Sequence, residues 1–211
     1  MQSLNTRARK KLIGNFMIKA GLIEKVKRSK LRAELQQNIP WAILLDPTSA
    51  CNLKCLGCWA NDYVKTDSMS YELLDRIIRE GKEMGTYVFI YSGGEPLMRK
   101  KDIIRLCEAH SDAYFMAFTN GTLIDEHFAA EVARVGNFAP AISIEGFENE
   151  TDFRRGEGTY KKAIRGMDLM RKYGNLYGFS AAYHRQNTEI LGADEFLDFM
   201  MKEKACAFAW Y

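Results

Sequence analysis

Short, almost continuously apolar runs alternate with longer amphipathic stretches along most of this chain. Residues 87–91 (Tyr-Val-Phe-Ile-Tyr), 114–118, 138–144 and 177–183 are runs of this kind, and a strand covered on both faces requires such a pattern. Residues 41–45 and 206–211 predict two further strands. Helical repeats lie between the runs. Residues 70–84 place Leu73, Leu74, Ile77, Ile78 and Met84 on one face, with Ser70 as N-cap and Gly85 as stop. Helices are also predicted over 102–109, from Asp125 through Phe128, Val132 and Val135 to Gly136, over 159–173 with Met167 and Met170 inward, and over 194–202. Residues 148–157 read as a polar excursion. Six strands separated by helices imply successive βα units, parallel strands and right-handed crossovers. Periodicity alone leaves a barrel and an open doubly wound sheet equally possible.

The first 38 residues differ from the rest and are read as a basic, helical N-terminal extension, with the core barrel over 39–211. Residues 1–35 carry ten Lys and Arg against Glu24 and Glu34, a net +8 within a chain whose total is +3. The apolar residues there (Leu12, Ile13, Phe16, Met17, Leu22, Ile23, Val26 and Leu31) are spaced in part like one helical face. A basic amphipathic stretch can lie on an anionic membrane surface or meet nucleic acid. Gly14 and Gly21 interrupt the pattern and favour the plainer alternative, a helical extension packed on the outside or bottom of the core. Peripheral membrane contact stays open. Nucleic acid is not expected, because no aromatic-rich basic platform accompanies the charge.

With 211 residues, 47% of them hydrophobic and 27% charged, the composition suits one globular core. No apolar stretch approaches a membrane span, and the basic N-terminus lacks the apolar region of a secretory signal. Five cysteines, an odd number, argue against a disulfide framework and for a reducing, cytoplasmic setting.

Three of those cysteines, Cys51, Cys55 and Cys58, fall within eight residues directly after the first predicted strand. Thiolates so spaced are soft ligands for zinc or an iron–sulfur cluster. A structural zinc site normally closes with four protein ligands, and no fourth Cys or His is near; Cys107 and His110 lie on a helix well downstream. Three ligands on a [4Fe–4S] cluster would leave one iron open. The spacing Cys-x3-Cys-x2-Cys, followed after the second strand by Ser92-Gly93-Gly94-Glu95-Pro96, resembles the radical S-adenosylmethionine (radical SAM) superfamily.

That resemblance implies a partial (β/α)6 TIM-type barrel. The apolar strand at the end of the sequence adds the expectation that the barrel is incomplete at its C-terminal end. It further implies a [4Fe–4S] cluster held by Cys51, Cys55 and Cys58, whose open iron is chelated by the amino and carboxylate groups of S-adenosylmethionine (SAM). Reductive cleavage of SAM then yields a 5′-deoxyadenosyl radical that takes hydrogen from a substrate not identified by the sequence. An external one-electron donor of the flavodoxin or ferredoxin kind is implied as partner.

By the same resemblance Gly93, Gly94, Glu95 and Pro96 meet the methionine amino group, with Glu95 accepting from the ammonium. Ser143 and Glu145 lie near the ribose, and Arg155 pairs with the SAM carboxylate, though Arg154 looks its equal. From position alone, Asn120 after the third strand reads either as orienting the adenosyl side or as a turn residue, and Tyr183-His184-Arg185, closing the fifth, can reach substrate or adenine, a lone His there being more often structural. One position departs from the family: where an aromatic residue often precedes the third cysteine, this chain has Gly57. That puts the adenine contacts in doubt and leaves the cluster unaffected. Cys107 reads as a buried helix residue and Cys206 as packing. The rival from another class is an iron–sulfur electron-transfer module without SAM turnover, against which the Gly-Gly-Glu turn counts.

Overall fold

The computed structural model describes residues 4–60 and 66–211. Six parallel strands form one sheet in sequence order: β1 (Ala42–Leu45), β2 (Val88–Tyr91), β3 (Tyr114–Thr119), β4 (Phe138–Ser143), β5 (Gly178–Ser180) and β6 (Ala209–Trp210). Each strand runs parallel to its predecessor, with Ala42 opposite Val88, Val88 opposite Tyr114, and Phe115 opposite Phe138. Sequential parallel order with helical crossovers is the partial (β/α)6 barrel arrangement.

The helices are α1 (Thr6–Lys11), α2 (Glu24–Leu35), α3 (Tyr71–Glu83), α4 (Lys100–Ala109), α5 (Glu126–Val135), α6 (Glu148–Arg155), α7 (Thr159–Lys172), α8 (Thr188–Leu191) and α9 (Asp194–Asp198). Their starts follow local chemistry. The Ser70 side chain accepts from the N–H of Leu73 at 3.1 Å, and Asp125 accepts from that of Phe128 at 2.7 Å, each satisfying an orphan donor of a first turn. Residues 148–157, a polar excursion by sequence, contain α6. Its one large apolar side chain, Phe153, is exposed, so no hydrophobic period marks it. Its hold is polar instead: Asp152 accepts from the N–H groups of Gly158 and Tyr160, both at 2.7 Å, and so caps α7.

Alternate strand residues separate two apolar layers, as pleating demands. Phe89, Tyr91, Phe115, Phe138, Ile142 and Phe179 pack outward against Leu74, Ile78, Ile103, Leu106, Phe128, Val132, Met167 and Met170 of the helices. Val88 and Ile90 on one side, and Tyr114 and Ala139 on the other, face inward and meet the N-terminal helix through Ala20, Phe16 and Leu12. The fifth and sixth strands are shorter than the apolar runs that contain them. The run 194–202 is helical but changes to π winding over Phe199–Glu203. No helix among the described residues is long and apolar enough to cross a membrane.

The N-terminal helix continues from α1 through a π-wound stretch, Leu12–Ile23, into α2. It crosses the end of the barrel where the strands begin. Asn15 donates to the carbonyls of Ser111 and Ala113 at 2.8 and 3.0 Å, Lys19 pairs with Asp112 at 2.7 Å, and Arg28 donates to the Gly85 carbonyl at 2.6 Å. Arg7 and Lys11 add bonds to the carbonyls of Arg134 and Ser111.

Candidate active site at the carboxyl ends of the strands

The chain leaves β1 at Leu45 and enters the cysteine loop, and the Gly-Gly-Glu-Pro turn after β2 packs directly against it. Ser92 N–H donates to the Leu45 carbonyl at 2.8 Å, Gly94 N–H to Thr48 at 2.9 Å, and Glu95 N–H to Ala50 at 2.8 Å. Only glycine fits this approach. A Cβ on Gly94 would stand 2.2 Å from the Ala50 oxygen and 2.5 Å from that of Ser49; on Gly93, whose φ is +97°, it would stand 2.8 Å from the Thr48 oxygen. The two glycines therefore press the turn against the loop that carries the thiols. Sequence reasoning gave them a ligand to approach, and the structure gives them a backbone.

Glu95 is buried and takes three donors: the Thr119 hydroxyl at 2.6 Å and the N–H of Leu97 at 2.9 Å on one oxygen, the N–H of Asn120 at 2.8 Å on the other. Burial pushes its carboxyl up, against the pull of these donors and of Arg155. The side chain thus ties the end of β3 to the turn, and Pro96 begins a 3₁₀ turn, Pro96–Arg99, whose first two residues are buried. Asn120 is likewise engaged. Its amide donates to Asn52 at 2.9 Å, Asn52 donates to Thr122 at 2.8 Å, and Thr122 donates back to Asn120 through its hydroxyl and N–H at 2.7 and 2.9 Å. This closed ring fastens the residue after Cys51 to the loop after β3.

On the other flank, α6 holds the loop through the Leu56 N–H, which donates to the Arg154 carbonyl at 2.8 Å. Glu145, fully buried after β4, receives Arg154 at 2.6 Å and Arg155 at 2.8 and 2.5 Å on one oxygen, and the Ala182 N–H at 3.0 Å on the other. Asn187 donates to the Glu145 carbonyl at 3.0 Å. Ser143 lies 3.0 Å from Ser180, oxygen to oxygen, across the ends of β4 and β5. A cavity of about 430 Å³ lined by Leu56, Gly57, Arg154, Tyr183 and His184 opens between the cysteine loop and the end of β5.

The three cysteines are half-buried, unpaired thiols on this one loop. Burial pushes the Cys51 and Cys55 thiols up; for Cys55 the nearby Arg155 and Arg154 pull the other way. Among the described residues no three His, Cys, Asp or Glu side chains gather around a single point that an ion would fill. Three soft sulfur donors on one loop, with Arg154 and Arg155 near Cys55, are a donor set that fits an iron–sulfur cluster. Cys107 is buried in α4 and Cys206 is buried before β6, both with thiols pushed up by burial.

The cysteine triad, the turn at 93–96, Asn120, Ser143, Glu145 and Arg155 lie at this end of the barrel, whereas Cys107, in α4, and Cys206, before β6, do not. Asn52, Thr119, Thr122, Ser180 and Asn187 join the former unannounced. Of these Asn52, inside the cysteine motif, and Thr119, directly after the third predicted strand, carried a local signal.

The profile of the Radical SAM superfamily matches residues 45–193. The chain belongs to the radical SAM superfamily. Fe-coproporphyrin III synthase of Methanosarcina barkeri is 30% identical over 174 residues, 80% of this chain and 43% of that protein. The serine-type anaerobic sulfatase-maturating enzyme of Klebsiella aerogenes is 28% identical over 178 residues, 74% of this chain and 43% of that one. The structure of Streptococcus suis SuiB bound to S-adenosylmethionine superposes with a TM-score of 0.74 over 90% of this chain and 44% of SuiB, at 21% identity, and shows the shared fold. The chain thus spans less than half the length of these relatives.

Proposed function

We propose that the chain is the core of a radical SAM enzyme, with Cys51, Cys55 and Cys58 as ligands of a [4Fe–4S] cluster. When bound, the cluster would supply one electron to the sulfonium of SAM, whose S–C5′ bond would break to give methionine and a 5′-deoxyadenosyl radical able to take a hydrogen atom from a substrate. The reading is carried by one observation: the three-thiol loop and the Gly-Gly-Glu-Pro turn are joined backbone to backbone at the mouth of the barrel.

The chain's own residues then have distinct tasks. Glu95, satisfied by Thr119, Asn120 and Leu97, fixes the turn so that the carbonyls of residues 92–94 can receive the SAM ammonium. Glu145 gathers Arg154 and Arg155 beside Cys55, where Arg155 offers positive charge to the SAM carboxylate. Ser143 with Ser180 offers hydroxyls to the ribose. The cavity beside Gly57, Tyr183 and His184 has room for adenine. An external flavodoxin- or ferredoxin-like protein is the electron source this requires. The relatives differ in what their names say they make or modify, so no substrate is carried over from them.

The test is anaerobic reconstitution of the full-length protein with iron and sulfide, followed by dithionite and SAM. 5′-Deoxyadenosine should form, and Cys55→Ala should form none. Iron-loaded protein that yields no 5′-deoxyadenosine, and whose reduced EPR signal ignores SAM, would instead be an electron carrier.

A further inference from the structure

The N-terminal helix has two faces, and the barrel explains only one. Leu12, Phe16 and Ala20 pack inward, Phe16 meeting Trp41 and Tyr114 at ring-centroid distances of 5.9 and 5.4 Å. Asn15, Lys19 and Arg28 bond to the loops beneath the strands. The opposite face carries Ile13, Met17, Ile18, Leu22 and Val26, each between 45% and 66% exposed. Their spacing of four and five residues keeps them in line through the π-wound stretch. Ile23 is exposed beside them. Single exposed apolar residues are ordinary, whereas a continuous stripe marks a surface that meets something.

Charge says what that something is. Arg9, Lys10, Lys25, Lys27 and Lys30 are exposed along the same helix. The one acidic residue in the first 33 is Glu24, whose carboxylate turns toward Gly85. The stripe is therefore apolar, flanked by cations and free of exposed carboxylates. An aqueous protein partner needs no such exclusion, but an anionic bilayer surface rewards it: each Lys or Arg near the headgroups attracts, and the apolar side chains enter the acyl boundary.

We propose that this face of residues 9–30 seats the barrel on an anionic membrane surface. The helix closes the end where the strands begin, so the cysteine mouth at the opposite end is left facing the aqueous phase, open to an electron donor. The inference stands on the helix alone and does not depend on the chemistry assigned to the cysteines.

Flotation of the full-length protein with phosphatidylcholine vesicles, with and without phosphatidylglycerol, tests it. Binding should require the anionic lipid and weaken with salt. Lys25→Glu with Lys27→Glu should reduce partitioning by at least about tenfold, while Lys101→Glu with Lys162→Glu, the same charge change on exposed barrel positions, should leave it unaltered. Leu22→Ser and Met17→Ser, on side chains more than half exposed, should each reduce it by about tenfold with unchanged thermal unfolding. Equal partitioning onto neutral vesicles, or binding indifferent to these variants, overturns the proposal. So does sedimentation showing a dimer that Leu22→Ser dissociates, or footprinting that finds Met17 and Leu22 already shielded in the lipid-free protein.

Discussion

The two ends of the barrel are held by different physics. At the end where the strands begin, the N-terminal helix is fastened by half-exposed ion pairs and bonds to loop carbonyls, such as Lys19–Asp112 and Arg28 with Gly85. At the end where they finish, two buried carboxylates, Glu95 and Glu145, each draw several donors from separate segments, and two glycines bring backbone against backbone. The first arrangement tolerates change, since exposed pairs contribute little and the helix can shift. The second does not, because a buried charge stripped of its partners has nothing to replace them. The end proposed here to hold a reactive cofactor is the over-determined one.

The largest effect expected is at Glu145. Glu145→Gln leaves Arg154 and Arg155 crowded on a neutral amide and should cost about 3–5 kcal/mol, read as a lowered urea midpoint with the loop at 53–57 gaining proteolytic sensitivity. Gly94→Ala comes next. Its methyl meets two carbonyl oxygens that have no rotamer to escape into, so we expect a loss of about 1–3 kcal/mol and failure to retain iron after reconstitution. Retention of full iron by this variant would break the claim that the turn and the thiol loop act as one body. Asn52→Ala opens the ring to Asn120 and Thr122 and should cost about 1 kcal/mol, with Asn52→Asp restoring less than Asn52→Ser.

At the opposite end the effects are smaller and depend on pH. Burial pushes the Asp112 carboxyl up, but Lys19 and Lys82 donating to it hold it at about 2 against an ordinary 3.8. A depressed carboxylate lends its stability in full above the unfolded value, and that stability is lost as pH falls toward the folded one. With Asp112 partly exposed, the contribution is about 0.2–1 kcal/mol. Hydrogen-exchange protection of residues 12–28, corrected for intrinsic rates, should hold down to about pH 4 and fall towards about pH 2. Asp112→Asn should flatten that dependence.

The same contrast explains what could be read in advance. Strands β2 to β4 were legible because Phe89, Tyr91, Phe115 and Ile142 face helices while Val88, Ile90 and Tyr114 face the lumen, so both faces demand apolar residues. Ser70 and Asp125 announced their helices by hydrogen bonds that reach only three residues. The thiol spacing and the Gly-Gly-Glu-Pro turn are local in the same sense.

What escaped is long-range or polar. α6 has no hydrophobic period, and its hold on Glu145 and on the Gly158 and Tyr160 amides cannot be seen in a spacing. The ring of Asn52, Asn120 and Thr122 joins residues about 70 positions apart. The apolar residues of the N-terminal segment are spaced only in part like one face, and the structure divides them, Leu12 and Phe16 inward and Met17 and Leu22 outward.

The central claim is a cluster with one iron left for SAM. EPR of the reconstituted, dithionite-reduced full-length protein tests it most directly. The account predicts a reduced [4Fe–4S] signal that shifts on adding SAM and disappears in Cys55→Ala, which should keep the wild-type circular dichroism. A signal indifferent to SAM, or full iron in Cys55→Ala, would contradict it.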